Sequence, residues 1–377
     1  MAKKQHLPSK SAFSQQRQKF NNQLFPHILK EFNNAIPFKK TFKGYHLIAI
    51  DGSDLNLPTD KNDTVYRVKQ ARSNNYYYQM HINAMFDICE NRYHSILIQP
   101  RPEMNEHEAF MELVNNGEFH ENTIFSADRG YCSLNSIANL CDKNKLFLIR
   151  AKSPDSNGSF LHGLIEKDTP SDSIVTIAIT RHKKRLKDVT CDIVKCIRND
   201  RRFDLIAPND KKKIYTINLR CTCIELTDGN YEYLISNLPM DEFSAADLKE
   251  LYWKRWSIET SFRSLKYALS LSFLHSVKRE LIIQEVYAKV ILYNFTALIH
   301  SYAQESKELL RRNQENKYSS KVSFEDAVPI SKMLVTKEMK NSIIKALLLR
   351  HLTAFRMGVA SGRHVRSQTV NSLNNRA

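Results

Sequence analysis

Apolar positions early in the chain come in short bursts between polar stretches, and the bursts predict strands. His46 to Leu57 (HLIAIDGSDLNL) runs apolar and then turns polar, the pattern of a buried strand with a polar end. Tyr76 to Asp87 and Tyr93 to Gln99 predict two more strands, and the link between them, Ile88-Cys89-Glu90-Asn91-Arg92, suits a hairpin. Asn105 to Asn116 predicts a helix, and Thr123 to Ala127 a short apolar strand that stops at Asp128. Ser133 to Asp142 predicts a second helix, and Lys145 to Ala151 a further strand. Two antiparallel steps followed by right-handed crossovers give a mixed sheet flanked by helices, an α/β architecture.

The pattern changes on both sides of this block. Residues 1–45 are polar and basic. There Ser11 to Lys19 predicts a short helix with Arg17 and Lys19 exposed, Pro26 and Pro37 predict breaks, and Lys39, Lys40 and Lys43 form a basic run. Residues 46–152 make the first part of the sheet. Residues 153–240 open on Ser-Pro-Asp-Ser-Asn-Gly-Ser and continue in short runs at Ser173–Thr180, Val189–Ile197, Ile214–Glu225 and Glu232–Ser236, a strand-rich insertion with basic clusters at Arg181–Arg185 and Lys211–Lys213. Tyr215, Ile217, Leu219, Cys221 and Cys223 fall on alternate positions, which places both thiols on the apolar face of a strand rather than in a zinc site. Residues 241–304 hold a long helix from Ser244, with Asp247 three residues on in a capping-box arrangement, and another helix over 281–304. Residues 305–377 predict helix over roughly 324–357 and a polar, basic tail from Gly358.

Charge narrows the choice of partner. The net charge is +16, from 56 Lys plus Arg against 40 Asp plus Glu, so a polyanion is expected. No apolar run approaches the roughly 20 residues that span a bilayer, and Met1-Ala2-Lys3-Lys4-Gln5 has no apolar core behind it. Seven Cys without a regular framework fit a reducing compartment, so a cytoplasmic protein is expected.

Three acidic positions stand out. Ile50-Asp51-Gly52-Ser53 and Ala127-Asp128-Arg129-Gly130-Tyr131 each end an apolar strand on Asp before a Gly, and strand-end carboxylates in an α/β sheet sit where ligands bind. On the helix from Ser244, Tyr252, Arg255, Glu259 and Lys266 fall within about 60° of one another at roughly 100° per residue. Leu251, Ile258, Phe262, Leu265 and Leu269 lie beside that stripe, so it borders a packed face.

Together these residues resemble a known signature. Tyr, two residues, Arg, three residues, Glu, six residues, Lys is the pattern of the DDE transposases of the insertion-sequence-four family, here Tyr252, Arg255, Glu259 and Lys266. Leu234-Ile235-Ser236-Asn237-Leu238-Pro239 and the two aspartate motifs also look like that family, over roughly residues 10–300. The resemblance implies a ribonuclease H-like mixed-sheet core, a β-rich insertion before the glutamate and a helical C-terminal region. It implies a transposase that cleaves insertion-sequence ends and joins them to target DNA. Asp51, Asp128 and Glu259 would be its catalytic carboxylates and hold Mg²⁺ (or Mn²⁺), while Tyr252, Arg255 and Lys266 would bind DNA. The implied partners are double-stranded DNA and a second copy of the chain in the synaptic complex. Some relatives pass through a hairpin with a flipped base held on an aromatic ring; here both Trp, Trp253 and Trp256, lie on the helix with Glu259. Family members carry a longer helical region before the first Asp, so either a shortened variant or a head lacking its N-terminal part is expected. Two other functions stay open: a non-catalytic regulator of a full-length transposase, and a ribonuclease H-like nuclease.

Overall fold

Side-chain alternation sets the first strand. In β1 (His46–Asn56), Ile48 and Ile50 enter the core on one face, and Leu47 and Ala49 enter it on the other. The computed structural model describes residues 9–71, 73–182, 190–210, 212–227, 229–306, 319–337, 343–350 and 352–355; the tail from Gly358 and most of the Arg181–Arg185 cluster lie outside them.

Around β1 the sheet builds as expected. β3 (Tyr76–Asp87) and β4 (Arg92–Pro100) form the hairpin, and β3 pairs antiparallel with β1. A short strand that the sequence did not announce, β2 (Arg67–Lys69), pairs with the start of β3. β5 (Thr123–Ala127) and β6 (Leu146–Arg150) follow in parallel on the other side of β1. The order β4-β3-β1-β5-β6, with β1, β5 and β6 parallel, is that of a ribonuclease H-like core. Helices α3 (Glu106–Asn116) and α4 (Leu134–Asp142) make the crossovers, N-capped by Asn105 and Ser133, and cover one face through Phe110, Ile137 and Leu140.

The strand-rich segment does not make a sheet of its own. β7 (Ser171–Thr180), β8 (Ile193–Cys196), β9 (Ile214–Thr227) and β10 (Asn230–Ser236) continue the core sheet, because β10 pairs antiparallel with β6. Cys221 and Cys223 are buried in β9 within the core.

The long helix expected from Ser244 is two. The capping box is present: Ser244 Oγ accepts from Asp247 N–H at 3.2 Å, and the Asp247 carboxylate accepts from Ser244 N–H at 2.8 Å. α5 (Ala245–Lys254) then stops at Arg255, where i→i+3 bonds tighten the turn, and α6 (Trp256–Lys266) begins. α6 and α7 (Arg279–Gln304) cover the other face of the sheet. By length and composition α7 could cross a membrane; instead Ile282, Val286, Val290 and Tyr293 are packed into the core.

The ends depart further from expectation. Pro26 does not break the chain, since it falls in the first turn of α2 (Leu24–Ala35), where its missing N–H is no loss. α1 (Lys10–Arg17) docks on α7: Arg17 donates to Gln284 at 3.2 Å, so it is half-buried rather than exposed. The basic run is partly neutralised by ion pairs, Lys40 with Glu305 and Lys43 with Asp247. The helix expected over 324–357 is α8 (Phe324–Val335), ended by the left-handed Lys337 at φ 60°, and then α9 (Ile344–Leu348). Beyond α9 the chain turns extended, pairing β12 (Leu352–Phe355) with β11 (Ser319–Val322).

Candidate active site

Strand register brings Asp51 and Asp128 together. The last pair between parallel β1 and β5 is Ile50 with Ala127, so the next residue on each is an aspartate. Asp51 does not close its strand, as the sequence pattern suggested. β1 runs on to Asn56 because β3 still pairs with it, Asp51 lying opposite Ala84. Asp128 does leave the sheet: its side chain accepts from Gly130 N–H at 2.8 Å and caps a short turn, Arg129–Tyr131. Tyr131 anchors that turn, 1% exposed and edge-on to Phe110.

Glu259 reaches the same place from α6, and Arg255 ties it there. Arg255 Nη2 donates to Glu259 Oε1 at 3.0 Å, and Nη1 lies 3.9 Å from Asp51 Oδ2. The guanidinium is 3% exposed and lies 5.3 Å from the Tyr252 ring centre and 5.5 Å from that of Trp256. Tyr252 itself is 1% exposed, packed with Leu248 and Leu251, so it faces the core and backs Arg255. The tightened turn at Arg255 explains why: uniform helical spacing through residue 255 does not hold. Lys266 is half-buried at the end of α6; burial lowers its pKa, opposed by the negative charge of Asp54.

The three carboxylates feel one another. Burial pushes Asp51 up to about 7, Arg255 and the Gly52 N–H oppose this, and the charges of Asp128 and Glu259 add to it. Among the described residues, no three His, Cys, Asp or Glu side chains form a ready-made metal cage. The donors nevertheless suit a hard divalent cation, which takes a few carboxylate oxygens and completes its shell with water or substrate. A half-buried carboxylate held up near 7, with its nearest cation 3.9 Å away, would also be relieved by that charge. Beside Asp128 opens a cavity of about 350 Å³, lined by Arg129 and Lys152 and by Phe160 from the insertion.

Sequence reading missed a second polar cluster behind the aspartates. His81 faces Asp54 across the β1–β3 ladder, Nδ1 to Oδ1 at 2.7 Å, and Arg101 Nε donates to Asp54 Oδ2 at 3.0 Å. His81 Nε2 lies 3.4 Å from Glu106 Oε1, at the start of α3. Burial alone would lower the His81 pKa, but Asp54 and Glu106 outweigh it and hold the imidazolium at about 9. The ring sits directly over Gly52: a Cβ there would meet His81 Nε2 at 2.3 Å. The available signal was His81 and Asn83 at alternate positions inside an otherwise apolar strand.

This packing gives a test. A His whose folded pKa exceeds its ordinary 6.5 supplies stability that is fully present below 6.5 and is lost as pH rises through about 9. Gly52→Ala drives the ring off Asp54. We expect it to lower the Tm at neutral pH and to flatten the fall in Tm above about pH 8 relative to the parent. Parallel melting curves for the two chains across that range would exclude this role for His81.

Residues 42–295 match the sequence pattern of a family described as the transposase DDE domain, a span that contains Asp51, Asp128 and Glu259. No curated protein matches the chain. Among solved structures, the cryo-EM structure of a piggyBac transposase synaptic complex with hairpin DNA is similar at a TM-score of 0.48 and 10% identity. The likeness covers 94% of this chain and 66% of that one, so this chain spans just under two thirds of the other's length.

Proposed function

Because the chain belongs to the DDE transposase domain family, we propose that it is a transposase of the insertion-sequence-four type, cutting element ends and joining them to target DNA at Asp51, Asp128 and Glu259. What supports this reading is Arg255, which lies between Asp51 and Glu259, together with the β1–β5 register that sets Asp128 beside Asp51 on the neighbouring strand. They would hold Mg²⁺, for which Mn²⁺ can substitute. When bound, such ions activate the attacking oxygen and neutralise charge on the scissile phosphate and the leaving oxygen.

The chain's own residues supply the rest. Arg129 and Lys152, lining the cavity beside Asp128, bind the flanking phosphates, Arg129 able to do so through two parallel hydrogen bonds. Lys266 offers a point charge further along α6. Arg255, itself buried, fixes the spacing of Asp51 and Glu259. Tyr252 supports Arg255 rather than touching DNA. Water displaces the 3′-oxygen from the phosphorus at the element end, and the freed 3′-hydroxyl then attacks a target phosphodiester, releasing a target 3′-hydroxyl. Two ends cut in concert require two copies of the chain.

The test is direct. A duplex made from the DNA flanking the coding sequence, incubated with the purified chain and Mg²⁺, should be nicked at one position and should then join to a second duplex. EDTA should stop both steps. Cleavage indifferent to EDTA, or equal on unrelated duplexes, would reject the reading.

A further inference from the structure

The surplus positive charge is not spread evenly over the described surface. Many exposed cations are matched by carboxylates: Lys43 by Asp247, Arg198 by Asp200, Arg202 by Glu108 and Asp204. The segment after Asp63 has no acidic residue of its own to match its cations. Between Asp63 and Asp87 the sequence contains Arg67, Lys69 and Arg72 and no Asp or Glu. Among the described residues neither Arg67 nor Lys69 forms an ion pair. Arg67 instead lies 4.6 Å from the ring centre of Tyr76.

This segment is the β2–β3 hairpin. Its register pairs Arg67 with Tyr78 and Lys69 with Tyr76, so both cations and Tyr76 share one face. Tyr76 stays 49% exposed on that face, Tyr77 is exposed on the opposite one, and Tyr78 is buried under the guanidinium of Arg279. An exposed aromatic ring beside unpaired cations suits a nucleic-acid backbone better than a protein partner.

Its place in the fold strengthens the assignment. Tyr76, Tyr78, Met80, Ile82 and Ala84 alternate onto one face of β3, and its buried members pack in the cluster that holds Ile258 and Phe262 of α6. Asp51 pairs with Ala84. α6 runs in the direction of β1, since Arg255 at its start acts on Asp51 and Lys266 at its end feels Asp54. The hairpin therefore lies beyond Lys266, at the far end of β3 and α6 from the carboxylates. From Ala84 to Tyr76 is about 26 Å at ~3.3 Å per residue, or roughly eight base pairs of duplex.

We propose that the β2–β3 hairpin is a duplex-DNA contact, with Arg67 and Lys69 neutralising two backbone phosphates about eight base pairs from the cut and Tyr76 packing on a deoxyribose. The distance rests on the proposed cutting site; the contact does not. The experiment is equilibrium binding of a mixed-sequence 30-base-pair duplex (about three helical turns) in EDTA, titrated with salt. Arg67→Gln with Lys69→Gln should lower the slope of log K against log salt by about 1.8, at ~0.9 per phosphate, and weaken binding roughly tenfold. Arg67→Lys with Lys69→Arg should restore the parental slope. A parental slope in the Gln pair, with unchanged melting, overturns the contact. The titration contains no metal and involves no cutting, so it stands or falls apart from the catalytic reading. A photocrosslinker at position 76 on the flanking duplex should then react about eight base pairs from the nick; reaction beside the nick overturns the proposed path.

Discussion

Glu259→Gln should abolish measurable DNA cutting while leaving the fold and DNA binding intact. The substitution keeps size and shape, and the amide oxygen can still accept from Arg255 Nη2, which now reaches Glu259 at 3.0 Å. What is lost is one negative charge and, in the proposed centre, a metal ligand. Divalent-ion catalysis supplies several kcal/mol at the reacting phosphate, so the rate should fall at least about a thousandfold at 1.36 kcal/mol per tenfold. Affinity for duplex DNA, read in EDTA, should stay within about twofold or rise slightly as repulsion of phosphates falls. Cutting at parental rates in this variant would remove Glu259 from the centre.

Arg255→Ala should be among the most destabilising single changes in the chain. The guanidinium is 3% exposed, faces two carboxylates and stacks between two aromatic rings. Its removal leaves the half-buried Asp51 without its nearest cation and Glu259 still close, and because both carboxylates are partly exposed the cost should lie near the low end of the range for a broken buried pair, about 3 kcal/mol. Denaturant unfolding at neutral pH should show a loss of that order in the metal-free protein. Arg255→Lys keeps the charge without the fork and should fall between. Mg²⁺ should return part of the stability to the Ala variant, because a cation held by the carboxylates takes over the missing charge. A full-length chain that loses nothing on Arg255→Ala would mean the carboxylates do not need it.

How much of this was legible in the sequence depended on whether a signal was local. Thr123–Ala127 was visible as an apolar burst, and Ser244 with Asp247 as a capping box, because period and capping act within a few residues. The alternation of Cys221 and Cys223 was visible for the same reason. The break at Arg255 was not, since no Pro or Gly marks it, and the burial of Tyr252 followed from it. Asp54, His81, Arg101 and Glu106 lie on four separate elements or turns, and only the β1–β3 register and the docking of α3 bring them behind Gly52. The joining of β10 to β6 was also hidden, because edge pairing depends on which edge is free, which no local pattern states. Asp51 and Asp128 were legible as residue types; their adjacency is a matter of register.

The central claim is that Asp51, Asp128 and Glu259 hold the divalent ion that cuts DNA, and a metal swap tests it most directly. Of the two aspartates Asp128 is the one outside the sheet, so Asp128→Cys disturbs the strands less than a change at Asp51. A thiolate is a soft ligand that Mg²⁺ accepts poorly and Mn²⁺ accepts better. Measured on the flanking duplex, the parent chain should cut with either ion, and Asp128→Cys should be inactive with Mg²⁺ and recover at least about tenfold with Mn²⁺. Parental cutting by Asp128→Cys in Mg²⁺ would contradict the account.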